Sequence, residues 1–215
     1  MFATPAAALE YAALLADAPV TLVDDRAMAG LSDSVSPAGL VAVCSFLDVA
    51  LDAVVEASEA GTRRLVALCA DVRDPGNAGT VIRTADAAGA AGVVLAGDAV
   101  DLYNPKTIRA SVGSAFHLPV AVERDPAAAV RAARAAGLTV LAADGGGEVE
   151  LFSADDLLAR PTAWLFGNEA WGLPAELAAL ADHRVSIPIL GRAESLNLAT
   201  AAAVCLYASA RAMMA

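Results

Sequence analysis

Three short stretches place polar side chains where the surrounding pattern is apolar. The first is DVRDPGNAGTVIRTADAAG, in which Asn77 stands six residues before Arg83 on a helix otherwise made of Ala, Thr, Val and Ile. A guanidinium there either snorkels outward or pairs with Asp86. The second is LFGNEAWGLP. Its Glu169 has no basic neighbour in sequence, Gly167 and Gly172 permit tight backbone and close ligand approach, and Trp171 favours a partly buried site. The third is IPILGRAESLNLA, where Ser195 reads as the N-cap of a last helix and Asn197 falls in its first turn. The free N–H groups at such a helix start can also face a ligand. Taken singly, the three read as a turn, a solvated loop and a cap.

Other chemistries are set aside. No GxSxG elbow exists, and the two histidines, His117 and His183, have no Cys or carboxylate at ligand spacing. Neither a serine-hydrolase triad nor a metal site is expected. His117 reads as a structural histidine. DGGGE at 144–148 lacks both GxGxxG and the Lys-Ser/Thr of a phosphate loop.

The elements that must position these stretches alternate. After Gly61, RLVALCA, AGVVLAG, HLPVAVE, LTVLAAD, TAWLFG and HRVSIPI read as strands, separated by the helical AGTVIRTADAA, NPKTIRASVGS, PAAAVRAARAA and AELAALA. LNLATAAAVCLYASA supplies a buried last helix. Apolar strands alternating with helices argue an α/β fold with a parallel sheet covered on both faces. Ligands in such sheets collect beyond the strand carboxyl ends, where all three stretches fall. Before Gly61 the order is helix, strand, helix, strand, helix, with AAALEYAALLAD, VTLV, GLVAVCSF and LDVALDAVVEASEA as the clearest segments. That thin unit is marginal alone.

The 215 residues are 58% hydrophobic and 18% charged, enough for one generous core and a small companion. Lys plus Arg number 14 against 25 Asp plus Glu, a net charge of −11, which excludes non-specific gripping of nucleic acid. The imbalance sits mainly in residues 1–62, where Arg26 faces nine acids. Arg63, Arg64, Arg73, Arg83, Lys106 and Arg109 cluster later, and an anionic partner is expected there. The sequence shows no secretory pattern and no membrane span. Cys44, Cys69 and Cys205 read as small core residues in a reducing cytoplasm.

Together the three stretches, in order and spacing, resemble the SpoU (TrmH-like) family of RNA ribose 2′-O-methyltransferases of the SPOUT class. DLYNPKTIRASVGSAFHLPV resembles that family's middle segment. The resemblance covers residues 61–215 closely, and residues 20–60 look like the latter part of the substrate-binding domain that often precedes it. It implies a partial leading α/β domain over 1–60 and a catalytic domain over 61–215, whose parallel sheet ends in a deep trefoil knot. It further implies S-adenosylmethionine as methyl donor, S-adenosylhomocysteine as product, a homodimer, no metal, and RNA as substrate. Ribosomal RNA is expected first, with transfer RNA, a non-catalytic RNA-binding or assembly factor, and a small-molecule methyltransferase as alternatives.

By position, the resemblance assigns Ala143, Gly167, Asn168, Ile187, Ile189, Ser195 and Leu196 to the cofactor. It assigns Asn77, Arg83, Glu169, Ser195 and Asn197 to catalysis, with Arg83 either general base or phosphate-binding positioner. Arg109, Lys106, Arg73 and Arg64 are the candidates for RNA phosphate contacts. Glu194 is expected at the surface.

Overall fold

The computed structural model describes residues 1–32, 34–56 and 64–214. They divide into two compact units, Met1–Phe46 and Leu47–Ala215.

The smaller unit begins with β1 (Phe2–Ala3), α1 (Pro5–Glu10) and α2 (Ala12–Leu15), followed by β2 (Thr21–Leu22), α3 (Asp25–Leu31) and β3 (Leu40–Val41). Thr4 caps α1, its hydroxyl accepting from the Ala7 N–H at 3.3 Å, with Pro5 at the first helical position. Four features differ from expectation. The helix read across AAALEYAALLAD breaks at Tyr11 into α1 and α2, and GLVAVCSF pairs only over Leu40–Val41. An unforeseen β1 forms the centre of the sheet, parallel to β2 and antiparallel to β3. Cys44 is exposed rather than in a core, whereas Cys69 and Cys205 are buried.

The larger unit contains α4 (Leu51–Glu56), β4 (Leu65–Ala70), α5 (Pro75–Ala87), β5 (Gly92–Ala96), α6 (Pro105–Ser111), β6 (Val120–Glu123) and α7 (Pro126–Ala135). It continues with β7 (Thr139–Ala143), β8 (Val149–Glu150), α8 (Asp155–Leu158), β9 (Thr162–Phe166), α9 (Ala175–Ala178), β10 (His183–Ser186) and α10 (Leu198–Ala212). The helix expected over 47–60 and closed by Gly61 is seen as α4; residues 57–61, with Arg63, lie outside the described residues.

Seven strands form one sheet in the order β6-β5-β4-β9-β7-β10-β8, every neighbour parallel. Later strands enter between earlier ones, β9 between β4 and β7, β10 between β7 and β8. The sheet is covered on both faces, which explains why all six residues of β4 are apolar and buried. Leu65, Ala67 and Cys69 pack with Val81 and Ile82 of α5 and Ala202 and Leu206 of α10. Val66, Leu68 and Ala70 pack on the other side with Val54 and Val55 of α4 and Val130 and Ala133 of α7. The parallel, helix-flanked sheet is the one expected, and it brings all strand carboxyl ends to one edge. No helix of the described residues is long and apolar enough to cross a membrane.

Candidate active site

A cavity of about 360 Å³ opens at that carboxyl edge. Its walls come from the ends of β7, β9 and β10 and from the loop leading into α10. Ala143, Gly167, Asn168, Ile187, Ile189, Ser195 and Leu196, the seven residues expected at the cofactor, all line it. Sequence reasoning missed Asp144, and it set Glu194 apart as a surface residue. Both are on the wall as well, and Glu194 is indeed exposed. The available signal was a carboxylate immediately after the β7 strand. With Glu169, the wall carries three carboxylates and no Lys or Arg, so it suits a ligand with an apolar body and positive charge.

The turn after β9 is held rigidly. Asn168 and Gly172 exchange backbone hydrogen bonds at 3.0 and 2.9 Å, and Gly172 has φ +70. A Cβ at Gly167 would fall 2.4 Å from the Gly172 carbonyl carbon, so the strand end and the turn close together only over glycine. Asn168 is buried. Its Nδ2 donates to the Asp71 carbonyl at 2.7 Å, and its Oδ1 accepts from the Ala170 N–H at 2.8 Å. Asp71 adopts φ +54, in the left-handed region that Asp enters more readily than most residues, and its carboxylate accepts from the Asp98 N–H at 2.8 Å. Beneath this turn the Cys69 thiol is pushed up to about 12 by burial, reinforced by the Glu169 charge, and is no nucleophile.

One chain of hydrogen bonds joins all three polar stretches. The Glu169 carboxylate accepts from the N–H of Asp74 at 3.2 Å and of Arg73 at 3.4 Å, and from Asn77 Nδ2 at 3.1 Å. Asn77 Oδ1 accepts from Asn197 Nδ2 at 3.0 Å. Asn197 Oδ1 accepts from the N–H groups of Ala199 and Thr200, at 2.9 and 3.3 Å. The direction is forced: an ionised carboxylate only accepts, so Asn77 must turn its NH2 toward Glu169, and Asn197 must turn its NH2 toward Asn77. The Asn197 oxygen is then left for the helix. Asn197 is thus the N-cap of α10, correcting the expectation that Ser195 caps it. Helix α10 begins at Leu198, three residues past Ser195, which is exposed on the cavity wall.

Arg83 projects from α5 as an exposed side chain. Asp86 does not pair with it; that carboxylate faces His117 Nδ1 at 3.4 Å, on an imidazole that is exposed rather than structural. Among the described residues neither Arg83 nor Arg109 has a hydrogen-bonded or ion-paired side chain. Their helices pack closely through Gly79, where a Cβ would lie 2.4 Å from the Thr107 carbonyl oxygen. Lys106 reaches Asp74 at 3.6 Å. Arg73 pairs with Asp98 at 2.6 Å and lies 5.3 Å from the ring centre of Trp171, which is 56% exposed rather than partly buried. Arg64 stands apart, at the amino end of β4, where it donates to the Ala136 carbonyl at 2.5 Å.

The SpoU rRNA Methylase family model matches residues 64–207. The chain belongs to that family. Its SpoU relatives include the 23S rRNA (uridine(2479)-2'-O)-methyltransferase of Streptomyces viridochromogenes, 44% identical over 64% of this chain and 49% of the relative. The 23S rRNA (guanosine(2553)-2'-O)-methyltransferase RlmP of Bacillus subtilis is 35% identical over 86% of this chain and 70% of the relative. The chain therefore spans about half the length of the first and more than two thirds of the second. An AdoMet-bound rRNA methyltransferase from Sinorhizobium meliloti superposes with TM-score 0.81 at 35% identity, covering 98% of this chain and 79% of that one. A structure concerning 2-OH methylation of C/U34 on tRNA gives TM-score 0.63 at 33% identity, over 70% of this chain and 96% of that one.

Proposed function

We propose that this SpoU chain transfers a methyl group from S-adenosylmethionine to a ribose 2′-hydroxyl of ribosomal RNA. The observation that carries the reading is the directional bond chain from Glu169 through Asn77 to Asn197, closed around a cavity beside a helix that presents Arg83. A binder that had shed catalysis has no need of so exact a tie.

The cavity fits the cofactor by its donor set. Ile187, Ile189 and Leu196 offer apolar contact, Gly167, Asn168, Ala143 and Ser195 sit at the strand and loop ends, and Asp144 and Glu194 offset positive charge. When bound, the cofactor supplies a methyl group already activated on a sulfonium, so that much of the remaining barrier is alignment of the attacking oxygen. Arg83 provides the alignment: its fork binds the phosphate next to the target ribose and orients the hydroxyl. With the cofactor held there, the methyl–sulfur bond would break as the methyl–oxygen bond forms, the hydroxyl proton would pass to solvent water, and S-adenosylhomocysteine would be the product. Asn77, Glu169 and Asn197 hold the loops in register, and Ser195 borders the reacting groups. Arg109, Lys106 and Arg73 take further phosphates, with Arg64 an outlying contact.

The remaining expectations belong to the same reading. The C-terminal threading forms a trefoil knot, which the insertion of β9 and β10 between earlier strands supports. The smaller unit acts as a partial substrate-binding domain and the larger one as the catalytic domain, with α4, expected on the leading side of a boundary at 60/61, packed on the larger sheet. The enzyme works as a homodimer, supported by the exposed apolar Val112, Phe116 and Tyr207, in the cytoplasm and without metal. A transfer-RNA ribose is the second reading, favoured by the likeness to the C/U34 structure.

The test incubates purified protein with labelled S-adenosylmethionine and either rRNA or tRNA, and reads nuclease-resistant 2′-O-methylated dinucleotides. Label in rRNA is expected, label in tRNA alone selects the second reading, and cofactor binding without transfer to any RNA overturns both. Arg83→Ala should abolish transfer while leaving cofactor affinity by calorimetry unchanged. Near-normal turnover in that variant would overturn the role of Arg83.

A further inference from the structure

Trp171 has no structural explanation in the cavity wall, although its neighbours Ala170 and Gly172 both line it. A large apolar ring left 56% exposed contributes little to folding. Its presentation is nevertheless controlled. The turn carrying it is closed by two backbone bonds between Asn168 and Gly172 and by the Asn168 side chain on the Ala170 N–H. The Arg73 guanidinium lies 5.3 Å from the ring centre, and Asp98 anchors that guanidinium at 2.6 Å. Arg73 is itself tied by its N–H to Glu169, at the head of the directional bond chain. The indole thus has a paired guanidinium over it and is more than half exposed, between two residues of the cavity wall.

We propose that Trp171 is a stacking platform for a nucleobase of the RNA, adjoining the ribose being methylated. The proposal rests on the function given above and adds a contact to the base. An indole offers every base the same π face, so the contact holds the nucleotide in place without reading its identity. Arg73 serves as a positioning residue through the indole, and its charge deepens the stacking site for an electron-rich base. A guanidinium paired with Asp98 and set over the indole thereby has a use beyond phosphate contact.

The chain has two tryptophans, and Trp164 is fully buried with its Nε1 donating to Ser209 at 2.9 Å. Quenching of intrinsic fluorescence by added RNA therefore reports on Trp171. The experiment titrates the full chain with an in vitro 23S rRNA transcript, following fluorescence and steady-state methyl transfer. Saturable quenching is expected in the unaltered protein. Trp171→Ala should raise KM for the transcript roughly ten- to a hundredfold, the loss falling on KM rather than kcat. Trp171→Phe, which keeps a ring, should recover most of that loss, whereas Trp171→Leu, apolar but without a π face, should not. Cofactor affinity by calorimetry checks that each variant is folded. Transfer by the unaltered protein without quenching, an unchanged KM in Trp171→Ala, or equal recovery by Leu and Phe would overturn the stacking role and leave the methyltransferase reading standing. Absence of transfer by the unaltered protein would overturn the reading beneath both.

Discussion

Helices α5 and α10 start at the same edge of the sheet and pack against one face of it, yet their caps are built differently. The cap of α5 is Asp74, whose carboxylate accepts from the Asn77 N–H at 2.8 Å and reaches Lys106 at 3.6 Å. The cap of α10 is Asn197, whose oxygen holds the helix while its NH2 reaches across to Asn77. A carboxylate can close a helix but has nothing to donate. An amide can close one helix and hold another in the same gesture. The charged cap therefore reaches beyond its helix only to a cation, Lys106, and the neutral one donates to a part of the chain 120 residues away.

The sharpest way to break this contrast is Asn197→Asp, which keeps an N-cap acceptor and removes the donor. If Asn77 then turns its NH2 toward the new carboxylate, its oxygen faces Glu169, so one clash remains in either orientation. Methyl transfer should fall roughly a hundredfold, with thermal stability little changed. Steady-state kinetics beside a melting curve checks both halves. A smaller effect is expected from Gly79→Ala, which drives a methyl group against the Thr107 carbonyl and parts α5 from α6. The cost should be about 1–3 kcal/mol in urea unfolding. Asp74→Ala removes the cap and an exposed pairing with Lys106 and should cost about 1 kcal/mol, with a milder loss of activity than Asn197→Asp.

The least effect is on pH dependence. The Asn77 N–H bond, aided by Lys106, holds the Asp74 carboxyl below its ordinary range against the opposing effect of burial. Its contribution is present above the unfolded pKa of about 3.9 and is lost as pH falls through the lower folded value. The stability gap between the unaltered protein and Asp74→Asn should therefore begin to narrow as pH falls toward the unfolded value of about 3.9 and go on closing through the lower folded one. Melting temperatures across that interval check the sign. The neutral cap Asn197 should show no such closure.

Most of the larger unit was legible because its strands are continuous apolar runs, which only a doubly covered parallel sheet accommodates. The seven residues that the resemblance assigned to a cofactor lie far apart in sequence, and the structure gathers them in one cavity. What escaped is short or three-dimensional. Strand β1 is two residues long and β8 is two residues long, too brief for any period to register. Ser195 looked like a cap because Ser is a good cap; the choice of Asn197 follows from a partner at Asn77 that sequence spacing cannot reveal. Arg83 and Asp86 lie close along α5, but His117, brought in from the segment before β6, takes the carboxylate. The order of the strands, with β9 entering between β4 and β7, was likewise invisible to a pattern that reads neighbours along the chain.

The bond chain also sets a timetable. Asn77 is made early in the larger unit, Glu169 much later, and Asn197 last of the three. While the chain is being synthesised, the loop carrying Asn77 and the turn carrying Glu169 can meet, but the Asn77 oxygen has no donor until Asn197 arrives. The same arrival starts α10, whose Ala202, Cys205 and Leu206 complete one face of the core. Completion of the core and registration of the three stretches thus both wait on the last segment, so a nascent chain halted before Asn197 holds loops whose register is not yet set.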